Sequence, residues 1–439
     1  MSGGRLTKQR CLSPNSADDD IIPLIKIPDR RWPHDGNFGV LYCRVRNGPH
    51  ANSLTRRRQD LTDRQKGAQM IIIAAFIAII GVYCFVNSVL NHAHFSRTDG
   101  TETTNCKDLV SIIIPARNEE KHIGKLLRSV IAQSYGNIEV FIVDDQSSDS
   151  TRKIIREFEN TDSRIHCLST DGSDAGTSKS GKIRALLQAV KCVSGRYILA
   201  TDADCIMKKD CVLKAISVCQ KYNYSMISGF PEESAPDFLT ASAISSMMFS
   251  VAFVPHWLNI VPAAIGQFIF MSKEAYDRTG GYAALDSSVD DMALARLFAG
   301  KNERSGFIKA SSLIMCTMYS SVRETYTGII RSIAGIFKMN MPSLMIRLVG
   351  ICLAIILALS PLISAVYAIL GSMIPVKCLL IAGTLLFAAG WFISCKIAGF
   401  RNSVALTFPL SIAHAIVMVA ESVYISVTGK KIVWKNREL

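Results

Sequence analysis

The sequence has no Cys-x-x-Cys pair, although it contains 13 cysteines. The cysteines are scattered singly, and several of them lie inside apolar runs: Cys84, Cys352, Cys378 and Cys395. Zinc clusters and disulfide frameworks both require cysteines at characteristic close spacings. The cysteine pattern therefore indicates neither, and it favours reduced thiols in a protein that faces the cytoplasm.

The sequence also lacks zinc-finger, RNP-type and basic-zipper patterns, so its net charge of +13 does not indicate a nucleic-acid partner. Much of the excess lies in residues 1–69, which hold 13 Lys and Arg against 7 Asp. We expect this segment to be a disordered basic segment or a spurious extension ahead of a start at Met70, with a regulatory tail as the alternative. Anionic lipid headgroups explain the remaining charge.

What the sequence does have is long apolar runs, and hydrophobic residues make up 49% of it. About 20 consecutive apolar residues are enough to cross a bilayer. We predict a transmembrane helix at 70–90 and three membrane segments within 348–427, namely 348–370, 378–395 and 404–427. A kink is expected at Pro361, and the last segment is expected to span or to be re-entrant. Four buried helices of a soluble protein are the alternative.

Residues 106–316 have the pattern of an α/β domain. Buried-strand runs occur at 110–114, 138–143 and 196–201, and a helical apolar face lies between the first two, within 120–133. Strand, helix and strand at this spacing imply right-handed βαβ units and a largely parallel sheet.

Residues 321–338 follow that domain and have apolar side chains at helical spacing, with Arg323, Arg331 and Lys338 beside them. This pattern is typical of an amphipathic helix in the membrane interface. Packing of the same face against the α/β domain is the alternative.

Three acidic clusters lie at or after predicted strands, where parallel sheets build ligand sites. Asp144 and Asp145 end the second strand, where a carboxylate can bind a base or ribose or can cap the following helix. Asp202 and Asp204 follow the third strand, and alternate residues of an extended segment point the same way. Carboxylates at this spacing suit Mg²⁺ or Mn²⁺, which would bind a diphosphate.

The third cluster, Asp290 and Asp291, opens a predicted helix at 292–298. The helix dipole stabilises a carboxylate there as an anion. A general base that deprotonates an acceptor hydroxyl needs that ionised form. Structural capping is the alternative for one of the pair, and Asp290 is the better candidate for it.

These clusters, in this order, resemble family-2 glycosyltransferases. The matching segments cover the α/β region almost end to end: 110–120, 143–151, 181–186, 202–204 and 289–294. The resemblance implies the nucleotide-diphospho-sugar transferase fold, GT-A, with Mg²⁺ or Mn²⁺ as cofactor. It also implies a nucleotide-sugar site formed by Pro115, Arg117, Glu119, Asp144, Asp145, Lys182 and Asp202. By the same resemblance Asp204, with Asp202, would hold the metal, and Asp291 would be the catalytic base.

Two departures from the family pattern refine this expectation. The pair at the base is Asp290-Asp291 where Glu-Asp is usual, which leaves the base itself intact. The Gln-x-x-Arg-Trp motif of processive polysaccharide synthases is absent after the base, which favours a single transfer.

The layout is similar to that of bacterial carotenoid and related lipid glycosyltransferases. The expected enzyme is an inverting hexosyltransferase at the cytoplasmic face of the cell membrane. Its expected donor is a UDP-sugar, and its acceptor is a hydroxyl of a carotenoid, a sterol- or hopanoid-like lipid or a sphingolipid-like lipid. The alternatives are a polyprenyl-phosphate sugar synthase, a processive polysaccharide synthase and an inactive membrane scaffold.

Overall fold

The computed structural model describes residues 49–97, 106–170, 181–285, 290–336, 341–428, 433–434 and 437–438. The chain divides into two compact units, Met1–Ala68 and Gln69–Leu439. Within the first unit, the described residues form the beginning of a long helix, α1 (Pro49–Arg97). The remaining elements belong to the second unit.

Helix α1 begins at Pro49 rather than at Met70, so residues 49–69 are helical and not disordered as expected. The physical reason is that this stretch is rich in Arg, Gln, Leu, Lys and Ala, which favour helices, and has no Pro after Pro49. The earlier part of the predicted basic segment, 1–48, lies outside the described residues.

The α/β region contains ten strands among the described residues. They are β1 (Val110–Ala116), β2 (Ile138–Asp144), β3 (Ile165–Ser169), β4 (Tyr197–Ala200), β5 (Cys205–Met207), β6 (Met226–Gly229), β7 (Glu232–Glu233), β8 (Ile269–Ser272), β9 (Ser305–Ile308) and β10 (Ile314–Cys316). The helices between them are α2 (Ile123–Ile131), α3 (Thr151–Glu159), α4 (Gly181–Val190), α5 (Cys211–Tyr222), α6 (Phe238–Ser245), α7 (Phe249–Phe253), α8 (Lys273–Thr279) and α9 (Asp290–Gly300).

Seven of these strands form one sheet in the order β3-β2-β1-β4-β8-β6-β9. All pairings within it are parallel except those of β8, which runs antiparallel to β4 and β6. The predicted α/β class with a largely parallel sheet is therefore confirmed. A smaller sheet has the order β5-β10-β7.

The large sheet is buried on both faces because its strands are apolar at consecutive positions. Ile112 and Ile114 pack with the apolar faces of α2 and α5 in one cluster. Ile113, which points to the other face, packs with residues of α4 and α9. The sheet is thus the middle layer of three, and its strand ends are free to form a site.

The helices after the α/β region are α10 (Val322–Ile336), α11 (Met341–Leu370), α12 (Ile374–Ile397), α13 (Asn402–Leu406) and α14 (Phe408–Thr428), followed by β11 (Val433–Trp434) and β12 (Arg437–Glu438). Four described helices are long and apolar enough to cross a membrane: Leu61–Ser96, Leu344–Leu370, Ile374–Ile397 and Phe408–Thr428. They coincide with the four predicted segments. The chain stays helical through Pro361, and the fourth segment is broken at Thr407, just before Pro409.

Helix α10 lies against α6 of the α/β region and against α14. Its Ile329 and Ile330 are buried in a cluster with residues of α6, α12 and α14. The Tyr326 hydroxyl is 2.7 Å from Nδ1 of His414 in α14. The end of the predicted amphipathic segment, 337–338, lies outside the described residues.

Helix α1 is fixed to α7 and to the segment that follows it by two buried asparagines. The Asn87 side-chain amide donates to the Ala252 carbonyl (2.9 Å), and the Asn91 amide donates to the Val251 carbonyl (2.8 Å). Their side-chain oxygens accept from the indole and backbone N–H groups of Trp257, respectively. A membrane-length helix thereby determines where the chain around Trp257 lies.

Candidate active site

A pocket lies at the switch point of the large sheet, between β1 and β4. The strands β2 and β3 lie on one side of β1, and the chain then continues on the other side with β4. Open α/β sheets bind ligands at the carboxyl ends of strands at such a point. The pocket is lined by Pro115, Thr201 and Asp202 from these strand ends, together with Lys182 and Asp291.

Four residues from separate parts of the chain meet in this pocket. The Lys182 ammonium, from the first turn of α4, is 2.7 Å from Oδ1 of Asp202. The Gly266 N–H donates to Oδ2 of Asp291 over 3.1 Å. A Cβ at Gly266 would lie 2.7 Å from Lys182 Nζ, 3.7 Å from Asp202 Oδ2 and 3.8 Å from Asp291 Oδ2. The backbone at Gly266 therefore lies between one cation and two carboxylates.

Asp291 lies in the first turn of α9 and is half-buried. Its Oδ1 accepts a hydrogen bond from the Met292 N–H (2.7 Å), and its Oδ2 is held by Gly266. The positive end of the helix dipole favours the ionised carboxylate. These features are what a general base requires. The side chain of its neighbour Asp290 lies outside the described residues.

Arg117 and Asp145 form a polar pair beside the ends of β1 and β2. The Arg117 guanidinium donates to the Asp145 carbonyl (2.9 Å) and lies 3.6 Å from Oδ2 of the same residue. The Thr170 hydroxyl donates to Oδ1 of Asp145 (3.1 Å). Asp145 is buried, so its charge is stabilised by these partners.

Asp144, the last residue of β2, supports the turn that follows it. Its Oδ1 accepts from the Ser147 N–H (3.2 Å). Oδ1 of Asp149 accepts from the Thr151 N–H (3.0 Å), at the start of α3. Asp144 thus holds the loop between β2 and α3, whereas the N-cap residue of α3 is Ser150.

Glu119 is buried and connects two neighbouring segments. Its N–H donates to the Thr151 hydroxyl (2.7 Å), and its Oε2 is 3.1 Å from Nδ1 of His122. The hydrogen bond from His122 to this carboxylate raises the pKa of the imidazole. Glu119 thus joins the loop after β1 to the start of α3 and places a charged pair near that loop.

The carboxylate of Asp204 lies against two thiols of the small sheet. Its Oδ1 is 3.5 Å from the Cys316 thiol and 3.7 Å from the Cys205 thiol. Its carbonyl accepts from the Thr317 N–H (3.2 Å), at the end of β10. The two carboxylates of the Asp-x-Asp segment therefore have different partners: Asp202 is paired with Lys182, and Asp204 is among thiols.

The residues around Asp204 fit a divalent cation. Glu233, at the end of β7, has a buried Oε2 with no hydrogen-bond partner among the described residues. Burial, with the like charge of Asp204, raises the pKa of this carboxyl to about 8. A cation here would compensate two carboxylates that otherwise disfavour each other's ionisation. Asp204 and Glu233 would hold Mg²⁺ or Mn²⁺, whereas at Asp202 the ion would compete with Lys182.

Sequence reasoning missed Glu233, Cys205 and Cys316 as parts of this region. They lie on three strands that are far apart in the chain, so no local spacing indicates them. It also gave no role to the backbone N–H of Gly266, since a main-chain donor leaves no side-chain signature.

Residues 111–280 match the protein family "Glycosyl transferase family 2". This range includes β1 to β8 of the α/β region and every predicted site residue except Asp291. Residues 111–280 are therefore a family 2 glycosyltransferase domain.

Similar curated proteins include two bacterial enzymes that match beyond this domain. A beta-monoglucosyldiacylglycerol synthase of Trichormus variabilis is 26% identical over 58% of this chain and 52% of its own. A 4,4'-diaponeurosporenoate glycosyltransferase of Staphylococcus aureus is 27% identical over 52% of this chain and 62% of its own. This chain thus spans about half the length of these relatives. Among solved structures, a mannosyltransferase from Pyrobaculum calidifontis in complex with GDP-Man and Mn²⁺ is 17% identical, with a TM-score of 0.48 over 82% of this chain and 99% of its own.

Proposed function

We propose that the protein is an inverting glycosyltransferase that moves one sugar from a nucleotide-diphospho-sugar to a hydroxyl of a lipid-like acceptor at the cytoplasmic membrane face. Residues 106–316 would be its catalytic domain. The observation that carries the proposal is the meeting of Lys182, Asp202 and Asp291 around the Gly266 backbone, inside a family 2 domain and the helix that follows it.

In the proposed reaction, Asp291 accepts the proton of the acceptor hydroxyl while the hydroxyl oxygen bonds to the anomeric carbon. The bond from that carbon to the diphosphate oxygen breaks, and the nucleoside diphosphate leaves. A single displacement inverts the configuration at this carbon. The Gly266 N–H keeps Oδ2 of Asp291 in place, which orients the base before the acceptor arrives.

Lys182 would stabilise the charge that develops on the leaving diphosphate. Its ammonium is partly exposed and is held at the pocket by Asp202, so it can turn to a phosphate without a change of fold. A bound Mg²⁺ or Mn²⁺ would supply further charge neutralisation for the leaving group. In this proposal Asp204 would hold the ion, with the buried Glu233 carboxylate as a second candidate ligand.

The nucleotide would lie along the ends of β1 and β2. Pro115 lines the pocket, and Arg117 and Asp145 lie beside it with polar atoms towards the strand ends. A buried carboxylate next to a guanidinium can accept from a base or ribose. We propose UDP as the nucleotide, with Asp145 as its nearest polar contact.

The proposal of a lipid-like acceptor is supported by an exposed apolar segment that precedes Gly266 in the chain. Trp257, Leu258, Ile260 and Val261 have exposed fractions of 39%, 44%, 67% and 41%. Asn87 and Asn91 of the membrane-length helix α1 hold this segment at its start. Contiguous exposed apolar groups of this kind mark membrane or ligand contacts. The names of both relatives above also contain an apolar molecule, diacylglycerol and diaponeurosporenoate.

The experiment that tests the proposal uses the full chain in detergent with radiolabelled nucleotide-sugars, one at a time, and membrane lipid extract. The expected result is label in the organic phase from one donor, with Mg²⁺ or Mn²⁺, and none with chelator. Failure of every donor in a folded preparation would contradict the proposal. A product that releases its sugar in mild acid would identify a polyprenyl phosphate and overturn the hydroxyl acceptor.

A further inference from the structure

The small sheet presents a cluster of metal-binding atoms on one face. Cys205 of β5 is paired with Cys316 of β10, and Cys316 is paired with Glu233 of β7. Residues directly opposite each other on neighbouring strands project to the same face. Three side chains with sulfur or carboxylate ligand atoms therefore lie side by side, and Asp204, which precedes β5, lies at their edge.

The distances in this cluster are those of ligands around a single ion. Oδ1 of Asp204 is 3.5 Å from Cys316 Sγ and 3.7 Å from Cys205 Sγ. The three ligand atoms all lie within 4.8 Å of one another. In a tetrahedral site with Zn–S and Zn–O distances of ~2.3 and ~2.0 Å, sulfur and oxygen are separated by roughly 3.5 Å.

Glu233 lies beside this arrangement, because it is the cross-strand partner of Cys316. Its Oε2 is buried and lacks a hydrogen-bond partner among the described residues, an arrangement that is costly for a carboxylate. Two thiols and the Asp204 carboxylate form a mixed sulfur and oxygen set, with a second carboxylate, Glu233, beside it. Such a set favours Zn²⁺ and Cd²⁺ over Mg²⁺ and Mn²⁺, which prefer oxygen ligands alone.

We propose that Asp204, Cys205 and Cys316 form a binding site for a thiophilic divalent cation, with the Glu233 carboxylate beside it, Zn²⁺ as the physiological type and Cd²⁺ as a probe. Because the site contains Asp204, occupancy by the thiophilic cation excludes Mg²⁺ or Mn²⁺ from that carboxylate. The binding site stands on the geometry alone. The consequence, inhibition of sugar transfer by Zn²⁺, rests on the proposed function.

Cadmium binding tests the site without any reference to sugar transfer. The full chain in detergent, under reducing conditions, is titrated with Cd²⁺ while the ultraviolet charge-transfer absorption of cadmium thiolates is recorded. We expect saturation at one equivalent for the wild type. The band should be halved or lost in Cys205→Ser and in Cys316→Ser, and retained in Cys219→Ser, a buried cysteine outside the cluster.

A Glu233→Gln variant tests the site without removing a thiol, so the test does not depend on the folding of the cysteine variants. It keeps both thiols, so the band should remain while Cd²⁺ affinity falls about tenfold or more. The site is overturned if the wild type shows no band. It is equally overturned if the band is unchanged in both cysteine variants, because other cysteines then bind the ion.

Zinc inhibition tests the competition at Asp204. With Mn²⁺ present, the half-inhibitory Zn²⁺ concentration should rise at least tenfold in Cys205→Ser, measured relative to that variant's own uninhibited rate. A cadmium band together with transfer that Zn²⁺ does not inhibit would overturn the shared use of Asp204. A cadmium band without any transfer would leave the metal site intact and count against the proposed function.

Discussion

Asp291 and Lys182 reach the same pocket from the first turns of two different helices, α9 and α4. The first turn of a helix is a rigid place that also carries a partial positive charge. The charge favours an ionised Asp291 directly. At Lys182 the same partial positive charge disfavours the ammonium. The Asp202 carboxylate, 2.7 Å from that ammonium, compensates for this repulsion. The pocket thus separates a proton acceptor from a cation that can bind phosphate.

Gly266→Ala is predicted to weaken use of the donor without unfolding the protein. The new Cβ would lie 2.7 Å from Lys182 Nζ, the flexible end of that side chain, so the ammonium must move from Asp202. We expect kcat/KM for the nucleotide-sugar to fall about tenfold or more, equivalent to ~1.4 kcal/mol. The assay is initial-rate kinetics with varied donor concentration.

Gly300→Ala is the matched control, because nothing lies within 4 Å of a Cβ added there. It should retain wild-type kcat/KM and stability. A Gly266→Ala enzyme with unchanged kcat/KM would show that the position of the Lys182 ammonium is irrelevant to catalysis.

His256 is predicted to make stability depend on pH. It is 4% exposed and stacked on Phe307 with ring centroids 4.6 Å apart. Burial, with a smaller effect from His94, lowers the pKa of its imidazole to about 4. The folded protein therefore favours the neutral ring, and its stability is complete above pH ~6.5 and falls as the pH decreases towards 4.

Between pH 7 and pH 5 this group should remove about 2 kcal/mol from the free energy of unfolding. Thermal unfolding of the detergent-solubilised chain at the two pH values measures the loss. His256→Phe keeps an aromatic ring in the cluster and should lose correspondingly less stability over the same range. Equal losses in the two proteins would refute the role of His256.

The sequence reveals side chains that occur in a recognisable order, and it does not reveal contacts across strands. Lys182, Asp202 and Asp291 could be identified because each belongs to a motif with a characteristic position on a strand end or helix start. The roles of Gly266 and Glu233 depend on the pairing of distant segments. For that reason, no spacing along the chain predicts the neighbourhood of Asp204.

At the scale of elements, helices α1 and α12 approach each other closely through small residues. A Cβ at Gly383 of α12 would lie 2.6 Å from Cα of Ala78 in α1, and one at Gly390 would lie 2.8 Å from the Cys84 backbone. The Ser88 and Ser394 hydroxyls are 2.9 Å apart in the same contact. Small residues and hydroxyl pairs of this kind are what hold apolar helices together in lipid.

Gly383→Leu is therefore predicted to separate α1 from α12. Because the obstacle is backbone, the clash cannot be relieved by a rotamer change, and we expect a loss of about 1–3 kcal/mol. Gly350→Leu in α11 is the control, since no atom lies within 4 Å of a Cβ there. Thermal unfolding in detergent should show a lower midpoint for the first variant alone. A similar midpoint for both would contradict the close packing.

The elements themselves could be predicted to different degrees. The strands β1, β2 and β4 and the four long helices follow from continuous apolar runs, which are local signals. The reversed direction of β8 has no such signal, because an apolar strand reads the same in either direction. The early start of α1 at Pro49 was missed because a polar helix has no apolar periodicity to indicate it.

At the scale of the whole molecule, the second unit joins a family 2 domain to membrane-length helices through shared apolar clusters. Phe230 and Phe307 of the α/β region are buried in one cluster with Phe387 and Trp391 of α12. The proposed acceptor route, at Trp257–Val261, begins where α1 contacts this domain.

The most direct test of the proposed base is the rate of label transfer from the active nucleotide-sugar to an organic-extractable product. The proteins compared are the wild type, Asp291→Asn and Asp277→Asn. Asp277 is an acidic residue of α8 that pairs with Lys273 outside the pocket, so it is the matched control. We predict that the transfer rate of Asp291→Asn falls about 10²-fold or more while donor binding is retained. Asp277→Asn should transfer label at the wild-type rate. Full transfer by folded Asp291→Asn would contradict the assignment of the base and, with it, the proposed mechanism.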